Sequence, residues 1–333
     1  MIIWVYNKNI LTDKIKCDSP EINAALYGVV KTSIKKGISP NTLKKNDMRK
    51  RDKSKIISVI KANGETELFN EDKIRQSLLR SGAATDIIDS VINKTVNKIY
   101  QNISTRKLYK IVFSELRKLH RSSAGKYNLK KAIMELGPTG FPFEKYVAEI
   151  FKADGYQTIT DKIVRGHCVE HEVDVIAENE KEQIMMECKF HSDPGTVCNV
   201  KHALYVSARF QDIERKIKTE SSKDTKLFKG ALVTNTRMTS DAEQYAVCFG
   251  LKLLSWNFPK GKSLRERIDK TGLHPVTCIT SLTRAEKNQL LKKMIVMCKD
   301  LCAAPNVLLK IGISESRAKR IIEEAKNICQ IKI

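Results

Sequence analysis

Two short apolar runs, parted by a polar break, constrain this chain more than any other stretch. His171-Glu172-Val173-Asp174-Val175-Ile176-Ala177 leads into Glu178-Asn179-Glu180-Lys181, and Ile184-Met185-Met186-Glu187-Cys188-Lys189-Phe190 follows. Each run has the length of a strand, and the break has the polarity of a hairpin turn. Residues two apart on a strand share a face, so Glu187 and Lys189 project together, with Met186 and Cys188 opposite. Asp174 joins them if the hairpin pairs in the expected register. The pattern therefore predicts a sheet with two carboxylates and one amine gathered on one side.

That grouping suits metal-assisted hydrolysis of a phosphodiester. Asp174 and Glu187 form a metal site for Mg²⁺, a hard cation that takes oxygen ligands and keeps several of its waters. The ion acidifies a bound water and offsets charge on the attacked phosphate. Lys189 orients that water or helps deprotonate it. The plainer alternative is a solvated sheet edge carrying ordinary charges, and the surrounding sequence has to decide between them.

The chain has 333 residues, enough for two or three domains, and 60 Lys and Arg against 38 Asp and Glu give a net charge of +22. A surplus that large favours a polyanionic partner, because neutralising phosphates releases condensed counterions. No apolar run reaches the roughly 18 residues of a membrane span. Met1-Ile2-Ile3-Trp4-Val5-Tyr6 is too short for a signal peptide. Nine cysteines with no C-x-x-C point to reduced thiols and a cytoplasmic protein. Cys168, His171, Cys188, His191, Cys198 and His202 invite a zinc reading. Their spacing matches no closed zinc motif, and Cys188 is expected to face the core. Residues 1–53 are polar and Lys-rich and are expected to be a disordered basic arm, with Met48 an alternative start.

From Lys55 the pattern sharpens. Ile56 to Lys61, Asn63-Gly64 and Thr66 to Phe69 predict a β-hairpin with a type I′ turn. Asn70 caps a helix with acids in its first turn, and three more helices follow, the third capped by Ser104 or Thr105. Val59-Ile60-Lys61-x-Asn63-Gly64-x-x-Glu67-x-Phe69-Asn70-x-x-Lys73-Ile74, with Ile103-Ser104-Thr105 and Lys126-Tyr127, resembles the ATP-cone over about residues 55–135. That resemblance implies a nucleotide-binding regulatory module over 54–136, with Lys61, Glu67, Asn70, Lys73 and Thr105 contacting ATP. Two lysines beside a helix N-terminus also make physical sense as a phosphate site. The family often has a second basic residue after the first lysine, where this chain has Ala62. With no Walker loop, ATP is expected to be sensed and not hydrolysed. The alternative is a small basic helical domain that binds no nucleotide.

Gly137-Pro138-Thr139-Gly140 marks the next boundary. A helix from Phe141 to Lys152 precedes a strand, the 171–190 hairpin, a helix over 203–215, a strand over 230–235, helix 240–249 and strand 251–256. That order predicts an α/β/α sandwich over 137–259. Phe143-Glu144, Gly155-Tyr156, Asp174, Glu187-x-Lys189 and Leu232-Val233-Thr234-Asn235 together resemble the Mrr-like branch of the PD-(D/E)xK restriction endonuclease superfamily. The resemblance implies that Asp174 and Glu187 are the metal ligands, Lys189 the catalytic lysine, and Glu144 a helical acid that completes the catalytic site. Val173 replaces the motif's proline. Glu172 shares alternation with Asp174 and is expected to be dispensable, while His202 and Tyr205 on the next helix are candidates for substrate contact. Residues 260–333 read as helical, with a Thr283-x-x-Glu286 capping box. Leu290, Leu291, Met294, Met297 and Cys298 form one stripe there. Leu308 to Ile328 resembles a helix-hairpin-helix, or else a plain helical pair packing on the nuclease or on a second copy.

The combined expectation is a cytoplasmic multidomain α and α/β protein, an Mg²⁺-dependent DNA endonuclease with ATP as regulator. The rivals are an ATP-responsive DNA-binding regulator with an inactive nuclease fold, and an enzyme acting on RNA. No membrane partner is expected. Oligomeric state stays open, although cutting both strands with one site per chain calls for a homo-oligomer.

Overall fold

The computed structural model describes residues 57–220 and 226–329, so the arm expected over residues 1–53 lies outside the described residues. Strands β1 (Ser58–Ile60) and β2 (Thr66–Leu68) form the predicted hairpin. Its turn differs from the expectation. Gly64 N–H donates to the Lys61 carbonyl at 3.0 Å and Lys61 N–H to Glu65 O at 2.8 Å. Of the turn residues only Gly64 has positive φ, +86°. That is a type I turn closed by a glycine in the left-handed region, because Asn63 keeps ordinary φ and accepts from Glu65 N–H instead.

Helix α1 (Glu71–Arg80) begins under Asn70, whose side chain accepts from Lys73 N–H at 3.3 Å. Helix α2 (Thr85–Val96) follows, and β3 (Ile103–Ser104) then pairs parallel with β1, giving the order β2-β1-β3. Ser104 caps α3 (Thr105–Leu119), after which come α4 (Arg121–Tyr127) and α5 (Leu129–Met134). Ile74, Leu78, Ile88, Val91, Ile92, Val112 and Leu116 recur at helical spacing and close the core of this bundle.

The central part is a five-stranded sheet of order β10-β8-β6-β5-β4, from β4 (Gln157–Arg165), β5 (Glu170–Glu178), β6 (Glu182–Lys189), β8 (Leu227–Thr234) and β10 (Lys252–Leu254). β4, β5 and β6 are antiparallel neighbours, while β6, β8 and β10 run parallel. A small pair, β7 (Val197–Cys198) with β9 (Arg237–Met238), lies beside it. Helix α6 (Phe141–Ala153) covers one face, where Phe143, Tyr146, Val147 and Ile150 meet Val175, Ala177, Ile184 and Met186. Helices α7 (Val200–Glu220) and α8 (Ser240–Phe249) cover the other with Val206, Phe210, Ala242 and Ala246, against Ile176, Met185 and Leu232. The α/β/α sandwich is present.

The tail comprises α9 (Leu264–Thr271), a 3₁₀ turn at Val276–Cys278, α10 (Arg284–Lys292), α11 (Cys298–Ala303), α12 (Val307–Lys310) and α13 (Glu315–Cys329). The Thr283–Glu286 capping box forms in both directions. The single stripe expected from Leu290 to Cys298 does not. Met294 takes φ +57° and ends α10, and Met297 and Cys298 open a new helix. Gly312 turns between α12 and α13 with φ +83°. The apolar side of α13, Ala318, Ile321, Ala325 and Ile328, packs into the same core as Leu129, Ala132 and Ile133 of α5 and the α6 face of the sheet. Helix α5, the α6 face of the sheet and the tail thus share one interior, while the rest of the bundle closes around its own core, and residues 56–333 form one unit. Among the described residues no helix is long and apolar enough to cross a membrane.

Candidate functional site

The chemistry-bearing residues meet where β5 parts from β6. Pairing of the two strands reaches Val175–Met186 and stops. One residue beyond, the Asp174 carboxylate takes over and accepts from Cys188 N–H at 2.6 Å. On the other side of β5 the ladder passes from Thr160–Val175 to Lys162–Val173, and Asp161 between them has φ +55°. Val173 and Val175, which share a face in a regular strand, consequently pack into different core clusters. This break in alternation turns Asp174 toward the strand junction.

Glu187 stands beside Asp174, and the two carboxylates repel. Burial first, and then the Glu187 charge, pushes the Asp174 carboxyl up to about 6, against the lowering effect of the Cys188 N–H. Glu144, half-buried in the first turn of α6, joins the group. Burial first, then the charges of Asp174, Asp161, Glu172 and Glu187, pushes its carboxyl up to about 7. Gly140 leaves it room, since a Cβ there would sit 2.7 Å from Glu144 Oε1. A cleft of about 680 Å³, lined by Glu144, Asp161, Phe141 and Met294 among others, opens beside it. Lys189 is exposed at the end of β6, two residues beyond Glu187, and its carbonyl accepts from Thr234 Oγ1 at 2.7 Å. Glu144, Asp174, Glu187 and Lys189 are therefore brought to one end of the sheet.

Arg209 of α7 was not anticipated. Its guanidinium pairs with the Glu187 carboxylate and donates to the Glu172 carbonyl, while lying 5.6 Å from the Tyr205 ring centroid. The one signal for it was its place one turn after Tyr205 on a helix already facing the strands. Glu172 itself is exposed; its carbonyl accepts from Arg209 and its carboxylate charge acts on Glu144 and Asp174. His202 bonds to Asn199 Oδ1 at 3.2 Å, beside the helix start. The cysteines and histidines weighed for zinc have other partners. His171 Nε2 pairs with Asp212 at 2.8 Å, His191 Nε2 with Cys198 at 3.3 Å, and Cys188 is buried in the core. Among the described residues no three His, Cys, Asp or Glu side chains are placed to hold an ion. Asp174 and Glu187 are the two adjacent carboxylates that could hold an ion at this junction. Two is the number that suits Mg²⁺, which keeps waters and shares substrate phosphate oxygens.

In the N-terminal bundle, Glu67 holds both candidate lysines, Lys73 at 2.7 Å and Lys61 at 3.5 Å, and those contacts keep its carboxyl below the usual range. Lys61 also pairs with Glu65 at 3.2 Å. Asn70 is spent as the α1 cap, and Thr105 opens α3, whose first turn holds no acid. Two amines and the start of α1 thus lie around one carboxylate, with the start of α3 two strands away beside Lys61, a charge pattern that an anionic phosphate can enter by replacing Glu67.

The family model for the ATP cone domain matches residues 57–134, the restriction endonuclease model of the Mrr catalytic type matches 138–257, and a model described as AF1548-like, C-terminal, matches 274–329. An uncharacterized protein of Archaeoglobus fulgidus is 34% identical over 183 residues, which is 55% of this chain and 99% of that protein. The crystal structure of AF1548, a protein of unknown function, shares 33% identity over 57% of this chain and 98% of that one, with a TM-score of 0.48. The MspJI restriction endonuclease in complex with a 27-mer oligonucleotide aligns at 12% identity over 68% of this chain and 45% of that one, with a TM-score of 0.29.

Proposed function

Because this chain belongs to the AF1548-like family and joins an ATP-cone to an Mrr-type restriction endonuclease domain, we propose that it cleaves DNA with Mg²⁺ under control of ATP bound in the cone. The observation that carries the proposal is the Asp174–Glu187 pair. The two carboxylates are neighbours at a strand junction, Asp174 raised by burial and then by the Glu187 charge, with Lys189 two residues along the strand. A divalent cation relieves that repulsion, so the donor set fits Mg²⁺. Mg²⁺ held by Asp174 and Glu187 supplies Lewis acidity at a phosphate oxygen and a more acidic water.

The chain's own residues do the rest. Lys189 offers an ammonium to the attacking water or to phosphate charge as it develops. Glu144, whose carboxyl is pushed up by burial and by the neighbouring carboxylates, is placed to accept or return a proton. The net charge of +22 brings the polyanion in and supplies affinity independent of sequence. In the cone, Lys61 and Lys73 exchange Glu67 for nucleotide phosphates, with Asn70 and Thr105 at the two helix starts. Binding of nucleotide without a hydrolytic loop makes ATP a regulator.

The test uses the full chain with supercoiled plasmid and Mg²⁺, with and without ATP. Asp174→Ala, Glu187→Ala and Lys189→Ala are expected to abolish cleavage while DNA binding by gel shift persists. Cleavage by Asp174→Ala at the unmodified rate rejects the assignment. The Arg209–Glu187 pair favours one second reading, a DNA-binding regulator whose metal ligand is permanently occupied by a guanidinium. Absence of cleavage by the unmodified chain with Mg²⁺ or Mn²⁺, alongside ATP-sensitive DNA binding, selects that reading. Running RNA beside DNA in the same assay separates the substrates.

A further inference from the structure

Helix α5 ends the cone, yet two of its side chains serve the nuclease domain. Lys130 and Met134 are four residues apart on one face of that helix, and both meet Asn235 at the end of β8. Lys130 Nζ donates to the Asn235 carbonyl at 2.9 Å and lies 4.5 Å from the Trp256 ring centroid. Met134 Sδ accepts from Asn235 Nδ2 at 3.1 Å. The fully buried Asn235 carboxamide then grips both backbone groups of His191. It accepts from the N–H at 2.9 Å and donates to the carbonyl at 2.7 Å. His191 is two residues beyond Lys189, and the preceding residue, Thr234, holds the Lys189 carbonyl.

The other end of α5 leads back to the nucleotide residues. Asn128, which immediately precedes the helix, accepts from the Tyr109 hydroxyl at 2.7 Å. Tyr109 stacks on Tyr127 with centroids 5.1 Å apart, and it lies one turn after Thr105 on α3. Each contact is between half-buried or buried groups, where an unmade hydrogen bond costs more than it does in water. A displaced α5 therefore cannot drift by fractions of a bond; it keeps Asn235 or releases it.

We infer that α5 carries nucleotide occupancy from the cone to the active site. Lys130 is a positioning residue that sets, through Asn235, where the Lys189 end of β6 lies. The inference rests on the nuclease and nucleotide readings above and names the device that links them. An aliphatic side chain at 130 would cover Trp256 without stripping water from an ammonium, so the amine is spent on the Asn235 carbonyl.

The experiment uses the full chain in a Trp4→Phe background, which leaves Trp256 as the sole indole of the two in the sequence. ATP binding is measured by calorimetry, Trp256 emission by titration with ATP, and plasmid cleavage with Mg²⁺ in the presence and absence of ATP. The parent is expected to change Trp256 emission on binding ATP. Lys130→Met should keep ATP affinity within about two-fold, yet lose the emission change and bring the ratio of cleavage rates with and without ATP to about one. Lys130→Arg should restore both. Should Lys130→Met not fold, Met134→Leu, which removes only the thioether acceptor, should reduce the same two responses. ATP bound by the parent with unchanged Trp256 emission overturns the inference, and so does Lys130→Met with the parent's emission change and rate ratio. No cleavage by the parent, with the Trp256 response present and lost in Lys130→Met, removes the nuclease reading and upholds the link. No ATP binding by the parent removes both.

Discussion

His274 stands at the seam between the sandwich and the tail and is 5% exposed. Its ring makes one defined hydrogen bond, Nδ1 to the Gly272 carbonyl at 3.1 Å. A carbonyl only accepts, so Nδ1 carries the proton in the neutral ring. Burial pushes the imidazolium form down to about 4, further disfavoured by the nearby Lys126 charge and partly opposed by the Gly272 bond. The unfolded chain titrates this histidine near 6.5. As pH falls, the unfolded state takes up its proton first, so stability drops through the window from about 6.5 to about 4 and not above it. Titration near 6.5 unfolded and about 4 folded is worth about 3.4 kcal/mol in full, of which the range from pH 7.5 to 4.5 covers about 2.5 kcal/mol. His274→Asn keeps an N–H where Nδ1 was and cannot ionise. Urea unfolding of the full chain and of this variant, across that pH range, gives two curves whose difference isolates the histidine from the carboxylates common to both. The expected result is a variant whose stability falls by about 2.5 kcal/mol less than that of the unmodified chain. Parallel curves would refute the reasoning, because they would mean the ring is hydrated enough to charge in place.

Gly125 in α4 approaches the tail so closely that a Cβ there would lie 2.6 Å from the Cys278 carbonyl oxygen. Gly125→Ala is accordingly expected to lower unfolding free energy by about 1–2 kcal/mol despite alanine's better helix propensity, and an unchanged urea midpoint would count against that close approach. Arg209→Met removes the cation bound to Glu187 and should tighten Mg²⁺ binding by about five-fold in calorimetry, equivalent to roughly 1 kcal/mol at a part-buried site, with no tightening telling against the two-carboxylate site.

Local signals were legible in the sequence where the physics is local. Asn70 and Thr283 cap helices as expected, because a side-chain oxygen three residues before a free N–H needs no tertiary partner. The strand faces of β6 followed from alternation, with Cys188 and Met186 in the core and Glu187 and Lys189 opposite. The Asn63-Gly64 turn misled because the dipeptide fits both type I′ and a type I turn followed by a glycine bulge, and the flanking Lys61–Glu65 pairing chose the second. Met294 was read into a helical stripe because apolar spacing continues through it, and its left-handed backbone has no local marker. Arg209, Asn235 and Lys130 were missed for a single reason. Their partners lie 22, 44 and 105 residues away, and no periodicity carries such pairings. The shift of alternation at Asp174, which aims the carboxylate at the junction, falls opposite the left-handed Asp161 on the neighbouring strand and has no local marker.

The burial of α5 in the core of the sandwich constrains how a nucleotide signal would travel. A cone that folded as a separate bead would pass nothing on, since binding energy spent within it would leave the sandwich untouched. Here Leu129, Ala132 and Ile133 of α5 are buried in the core that also holds Phe143, Val175 and Met186. The Thr277 hydroxyl donates to the Ala132 carbonyl at 2.7 Å, and Lys287 pairs with Glu135 at 3.1 Å, so the tail grips the same helix from its other side. Close-packed interiors respond to strain by switching between arrangements and not by gradual give. A helix wedged between two such faces therefore adds the cost of moving either one to the cost of moving itself. On the inference above, α5 is the place where nucleotide binding energy in the cone would be exchanged for a change in the sandwich. The tail, by fixing the far side of the helix, limits that change to the direction of Asn235 and the strand that carries Lys189.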